Sequence, residues 1–283
     1  MYGAMIGDFV GSIYEWRNIK TKEFPFFHKR CFLTDDSYMT VAVAQACLNW
    51  PEHRSEEAFV EDLTFEMVRI GRTYPDAGYG GRFSKWLFSE TQHPYKSCGN
   101  GSAMRASPCG MVAESLEEAE LLGRLSALPS HDHREGIRGA VVTAGCVYLA
   151  KTGATRHEIS RYIKKHGYDM RFTLNAIRPM YKFNETCQGT VPPALKAFLE
   201  SYSFEDAIRN AISLGGDSDT VAAITGGVAG AYYGIPDSFL SVIQGAVSTQ
   251  CLREEQDIIH RFTSKFNENG KQVRKTRREG GVL

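Results

Sequence analysis

A chain of 283 residues fits one large domain, because a single core stops growing at roughly 250 to 300 residues. Lys plus Arg and Asp plus Glu both number 33, so no global field draws the protein to nucleic acid or to an anionic membrane, and an anionic ligand has to be held by local geometry. Seven cysteines, odd in number and without a close pair, argue against a disulfide framework and a zinc knuckle, and no apolar run approaches the roughly 18 residues of a membrane span. With no charged start to Met1–Asp8 that would mark a signal peptide, the expectation is a cytoplasmic monomer with reduced thiols.

Helical periodicity recurs along the chain, while alternating runs bounded by hairpin turns are nearly absent, which predicts an all-α fold. Met1 to Trp16, rich in Gly, Ala and Ile, reads as a buried helix whose small residues permit close backbone approach. Thr34-Asp35-Asp36-Ser37 supplies cap chemistry for a helix over Tyr38 to Leu48, with Pro51 beyond its end. Ser55 to Arg72 places Phe59, Leu63, Met67 and Ile70 at helical spacing. Pro75 to Gly81 and Ser97 to Gly101 are glycine-rich loops. Further helices are expected at Ser115–Leu128, Arg134–Lys151, Thr155–Lys165, Pro193–Ser201, Phe204–Leu214, Asp219–Tyr233 and Arg253–Asn267. Lys271 to Leu283 is basic and aperiodic, so the chain divides into a domain over 1–268 and a flexible tail over 269–283.

Thr34-Asp35-Asp36-Ser37 and Gly215-Gly216-Asp217-Ser218-Asp219-Thr220 share one grammar, each putting two carboxylates and a hydroxyl at the mouth of a helix. Taken singly, either is an N-cap with extra acid. If the two mouths converge, four carboxylates lie too close to stay ionised without cations, and an all-oxygen set free of His and Cys selects magnesium or manganese over zinc or copper. Glu15 is either a solvated helix end or, if it faces the two mouths, a general base or a metal ligand. Gly99-Asn100-Gly101-Ser102-Ala103-Met104-Arg105 is a glycine turn feeding a helix, suited to an anion but lacking the Lys and Ser/Thr of a P-loop. Gly78-Tyr79-Gly80-Gly81 offers a tyrosine that either packs or stacks on a base or ribose. Ser130-His131-Asp132-His133 is too sparse for zinc, which leaves His131 to contact a ligand or the backbone.

In this order, the Gly7-Asp8 helix with Glu15, Thr34–Ser37, Gly99–Arg105, Ser130-His131 and Gly215–Thr220 resemble the ADP-ribosylglycohydrolase family over residues 1 to 245. The resemblance implies a compact, orthogonal multi-helix domain with a dinuclear magnesium or manganese cleft. Its metal ligands would be Thr34, Asp35, Asp36, Asp217, Asp219 and Thr220, with Glu15 as ligand or proton carrier beside Asp35 and Asp36. Substrate contacts would fall on Gly99, Asn100, Gly101, Ser102, Met104, Arg105 and His131, with Gly78, Tyr79 and Gly80 bordering the cleft. The implied reaction is metal-dependent removal of ADP-ribose from an acceptor, most simply a protein side chain, with no membrane or general nucleic-acid partner. The alternatives are an ADP-ribose-binding protein without turnover and a hydrolase of ADP-ribosylated nucleic acid or small nucleotide conjugates.

Overall fold

The computed structural model describes residues 1–53 and 55–279, with side chains described as far as Phe266 except that of His53. All its regular elements are helices. They begin with α1 (Tyr2–Gly11), α2 (Asp35–His53), α3 (Glu56–Thr73) and α4 (Gly81–Leu87). Two short helices, α5 (Gly101–Met104) and α6 (Ser107–Val112), precede the pair α7 (Leu116–Ala127) and α8 (Arg134–Lys151). Next come α9 (Arg156–Lys165), α10 (Leu174–Ile177), α11 (Cys187–Leu199) and α12 (Phe204–Ile212). The last are α13 (Ser218–Tyr233), α14 (Asp237–Gln250) and α15 (Arg253–Glu279). Extended pairing among the described residues is confined to a single bridge between Gly99 and Thr186.

Hydroxyl caps start several of these helices: Ser115 Oγ accepts from Glu118 N at 3.1 Å, and Ser203 Oγ from Asp206 N at 3.1 Å. Thr155 and Glu158 form a reciprocal capping box at the head of α9. In α3 the expected stripe of Phe59, Leu63, Met67 and Ile70 is buried. The centre of the molecule is α13, buried from Ser218 through Ala229 and packed against α1, α8, α11 and α12. A helix sealed on every side has to be largely apolar, and between its Ser218-Asp219 start and its Tyr232-Tyr233 end α13 is built from Val, Ala, Ile, Thr and Gly.

Several boundaries differ from expectation. The first helix ends at Gly11 instead of Trp16, because the Asn18 side chain takes the Tyr14 and Glu15 carbonyl oxygens at 2.8 and 2.7 Å and turns the chain. Pro51 lies inside the last turns of α2, where its missing donor removes only one helical bond. The helix expected at Pro193 already starts at Cys187 behind the Thr186 cap. Pro193 has no N–H to offer Gly189 O, and that carbonyl accepts from Tyr181 Oη at 3.0 Å instead. The sequence also gave no warning of α14, of which only Ile243, Ala246 and Val247 are buried. The backbone of α15 continues to Glu279, into the segment read as a tail over 269–283, and residues 280–283 lie outside the described residues. Among the described residues, no helix is long and apolar enough to cross a membrane.

Candidate metal centre

The site begins with glycine. On α1, a Cβ at Gly3 would lie 2.2 Å from Gly226 O, one at Gly7 2.0 Å from Ala222 O, and one at Gly11 2.5 Å from Asp219 Cα. The backbones of α1 and α13 therefore touch along three turns, which no side chain would permit. This contact carries Asp8 and the turn after α1 to the acidic start of α13.

Asp8, fully buried within α1, holds the start of α2. Its carboxylate accepts from Thr34 N at 3.0 Å, Thr34 Oγ1 at 2.7 Å, Ser37 N at 3.1 Å and Ser37 Oγ. It is an N-cap supplied by another helix, and it fixes how Asp35 and Asp36 present themselves. Thr34 spends its hydroxyl proton on this contact while its oxygen accepts from Asp36 N at 3.3 Å.

The two aspartate mouths meet. Thr220 Oγ1 of α13 donates to Asp36 Oδ2 of α2 at 3.1 Å across 184 residues of chain. Asp217 Oδ2 accepts from Asn100 Nδ2 at 2.7 Å, and the same amide donates to Thr190 Oγ1 at 3.1 Å. Glu15, Asp217 and Asp219 each offer a carboxylate oxygen within 4.8 Å of the others. Asp35 N donates to Ala77 O at 2.9 Å, which joins the 75–81 loop to the site, and a Cβ at Gly78 would stand 3.4 Å from Asp35 Oδ1.

None of these acids takes part in an ion pair among the described residues. Burial first, then Asp8 and Asp217, raises the Asp35 pKa well above the carboxylate range; burial, then Asp8 and Asp35, does the same to Asp36. Burial and the Asp217 charge raise Asp219 likewise. Asp217 is also raised by burial, against hydrogen bonds from Asp219 and Asn100. Glu15 is pushed up to about 7 by burial and Asp217, and Asp8 to about 6 by burial. Buried carboxylates without a counter-charge are strongly unfavourable unless they are protonated or hold cations. Asp36 Oδ1 and Asp219 Oδ1 are buried without a hydrogen-bond partner among the described residues, so the donor set fits a hard divalent cation.

A second wall comes from the glycine turn. Asn100 N donates to Glu185 O at 2.7 Å and Cys187 N to Cys98 O at 2.9 Å, fastening the turn to the head of α11. Met104 Sδ lies 4.0 Å from Thr220 Oγ1. The His131 ring lies against the turn, where a Cβ at Gly101 would meet Nε2 at 3.2 Å and one at Gly99 at 3.3 Å. Burial and the Arg105 charge hold His131 well below its usual pKa, so it is neutral.

Two of the expected substrate contacts turn away from the cleft. Ser102 is fully buried, with Oγ donating to Gly136 O of α8 at 2.7 Å. Arg105 is also fully buried, and its Nη2 donates to Ser126 O and Ser130 Oγ, both at 3.0 Å. Ser130 Oγ in turn pairs with His131 Nδ1 at 2.8 Å, so Arg105 supports the histidine instead of reaching ligand through its side chain. The other histidine of that segment, His133, caps α8 by accepting from Glu135 N at 3.1 Å. All seven thiols are free. Tyr79 borders the site with its hydroxyl buried and unpaired, and burial with the Asp35 charge raises its pKa.

Sequence reasoning gave Asp8 no role of its own and overlooked Thr190 and Asn18. Asn18 Nδ2 donates to Gly216 O at 2.9 Å and Gly216 N returns the bond to Asn18 Oδ1 at 2.8 Å, which ties the Glu15 turn to the Asp217 loop. Gly215 and Gly216 carry φ of 67° and 75°, left-handed conformations that glycine adopts freely.

The fold is all-helical, and its unneutralised carboxylate cluster stands beside a glycine turn as a group able to hold a metal ion. The sequence profile described as ADP-ribosylglycohydrolase matches residues 1–272, and the chain belongs to that family. Human ADP-ribosylhydrolase ARH3 is 26% identical over 93% of this chain and 92% of its own length. The ADP-ribosylarginine hydrolase Tri1 of Pseudomonas putida is 27% identical over 90% of this chain and 76% of its own. A solved structure titled "ADP-ribosylglycohydrolase-related protein complex" shares the fold with a TM-score of 0.65 at 24% identity, covering 94% of this chain and 95% of that one.

Proposed function

We propose that this protein is a magnesium- or manganese-dependent ADP-ribosylhydrolase that cleaves the bond between the distal ribose of ADP-ribose and a protein side chain. The observation that carries this reading is the meeting of buried Asp36, Asp217 and Asp219 with half-buried Asp35 and Glu15 in one place, two of whose oxygens lack a hydrogen-bond partner among the described residues. Asp35, Asp36, Asp217, Asp219 and Thr220 would hold two cations, with Thr34 and Glu15 at the edge of the set. Bound there, such cations polarise ribose oxygens and acidify water.

The chain's own groups do the rest. The turn at Gly99–Ser102 takes the diphosphate, since the first N–H groups of α5 have no acceptor within the helix. His131, held by Ser130, turns Nε2 toward that turn, and Met104 and Gly78–Gly80 close the sides. Asn100 orients Asp217. Glu15, with a carboxylate oxygen beside those of Asp217 and Asp219, is placed to accept a proton from water and return it to the acceptor. The bond from the anomeric carbon to the acceptor atom breaks, its electron pair leaves with that atom, and the water oxygen takes its place on carbon through an oxocarbenium-like state.

The test is to incubate the purified protein and Mg2+ or Mn2+ with peptides carrying ADP-ribose on arginine or serine, and with ADP-ribosylated oligonucleotides. Free ADP-ribose from a peptide supports the reading. Binding of ADP-ribose with release from none of them would replace it with the role of a binding protein, and release from the oligonucleotide alone would move the activity to nucleic acid.

A further inference from the structure

An open cavity of about 410 Å³ lies between α8, α10 and the head of α11, in a part of the molecule that the proposed hydrolysis does not use. Tyr168, Phe172, Tyr181, Pro192 and Pro193 line it together with Arg138. Three aromatic rings and two prolines give flat apolar walls, which suit a planar ring. The Arg138 guanidinium lies 4.3 Å from the Tyr168 ring centroid, and its side chain is 25% exposed, so a positive charge stands on the wall within reach of solvent.

That charge is not cancelled locally. Glu135 is shared between Arg138 and Arg134, so two guanidiniums meet one carboxylate. Asp169 at the rim is taken by Arg171 through bonds of 2.9 and 2.8 Å. Lys196, 5.7 Å from the Phe172 ring centroid, pairs with Glu200 at 3.4 Å. Each of these acids has its own cation and one guanidinium is left in excess, which selects an anion. We propose that the cavity binds a small aromatic carboxylate, its ring among Tyr168, Phe172 and Tyr181 and its carboxylate on Arg138, and that occupancy regulates the acidic cluster's hold on cations.

Two walls of the cavity also support the acidic cluster. The Tyr181 ring packs on Gly216, where a Cβ would stand 2.8 Å from Cε1, and its Oη donates to Gly189 O at 3.0 Å. One residue further along α11, Thr190 Oγ1 accepts from the Asn100 amide, which also donates to Asp217 Oδ2. A ring packed against Tyr181 and the first turns of α11 restrains both supports of Asp217. Cation binding restrains the same groups from the other end, so each ligand tightens the other, by linkage to the same factor. The aromatic site stands by itself, and its effect on cations rests on the hydrolase reading above.

The experiment uses cinnamate as the aromatic anion and cinnamamide as its neutral counterpart, with calorimetric Kd values for wild type, Arg138→Gln and Phe172→Ala and circular dichroism as the check of folding. Cinnamate should bind wild type about tenfold more tightly than the amide, and each substitution should weaken it about tenfold. Phe172→Ala leaves both Glu135 ion pairs intact and decides alone if Arg138→Gln does not fold. Saturating cinnamate should lower the wild-type Mn2+ Kd about fivefold, and saturating Mn2+ should lower the cinnamate Kd by the same factor. Equal binding of the two probes, binding of neither, or an unchanged cinnamate Kd in either folded variant would overturn the site. An Mn2+ Kd that cinnamate does not lower would overturn the regulation and leave the site standing. A wild type that binds cinnamate but no Mn2+ would overturn the hydrolase reading and the regulation with it, while the site stands.

Discussion

A side chain on Gly11 would collide with Asp219: its Cβ would lie 2.5 Å from the Asp219 Cα and 2.7 Å from the Asp219 nitrogen. The start of α13 at Asp219 and the last residue of α1 thus occupy a spacing that only glycine allows. Gly11→Ala should force the helices apart, destabilise the fold by about 2 kcal/mol and displace Asp219. Urea unfolding checks the first effect and Mn2+ titration the second; unchanged metal affinity would mean that Asp219 is placed by something other than this contact.

Asn18 joins the Glu15 turn to Gly216 through reciprocal bonds of 2.9 and 2.8 Å. Asn18→Ala should leave helical circular dichroism intact while lowering kcat by about tenfold to a hundredfold, the scale of an ångström-level misplacement. Steady-state kinetics on a cleavable conjugate measure it. An unaltered kcat would show that Glu15 is positioned without this amide.

Arg105 is buried and forms no ion pair among the described residues, and burial lowers its pKa to about 10, so it is still charged at neutral pH. Lysine cannot reproduce its bonds to Ser126 O and Ser130 Oγ, and Arg105→Lys should cost about 2 kcal/mol of stability. ADP-ribose should also bind more weakly, because Ser130 holds His131. Chemical denaturation and calorimetry test the two effects separately.

In the metal-free protein, Asp8 and Glu15 have pKa values raised to about 6 and about 7, above the values of 3.8 and 4.5 in the open chain. The folded state therefore binds more protons than the unfolded state in this interval, and stability falls as pH rises through it. Metal-free protein should melt at a higher temperature near pH 5 than near pH 7.5, because Asp35, Asp36 and Asp219, raised further still, act in the same direction and outweigh the buried Met1 amine and His131, whose lowered pKa values act against it. Saturating Mg2+ or Mn2+ should raise the melting temperature most at the higher pH, where the carboxylates are ionised. A metal-induced shift independent of pH would contradict this.

Much of the site was legible because its signals are local. Thr34–Ser37 and Gly215–Thr220 announce helix starts with surplus acid, and the glycines around Asn100 announce a turn. Their convergence was not legible as geometry, since it is set by α1 lying against α13 through Gly3, Gly7 and Gly11. Asp8 has no local signature: an acid inside an apolar helix shows its purpose only when the start of another helix is found on its oxygens. Ser102 and Arg105 follow the turn in sequence, but the four-residue helix α5 directs them to Gly136 and Ser126 instead. The fold was readable where one helix face is buried, as in α3, and unreadable in α14, where so little is.

Whether the acid cluster needs cations is decided by ADP-ribose release from protein stripped with a chelator and then titrated with Mg2+ or Mn2+. Stripped protein should release none, either ion should restore release, and neither should restore it in Asp36→Asn or Asp219→Asn. Full release by the stripped protein would contradict the metal requirement.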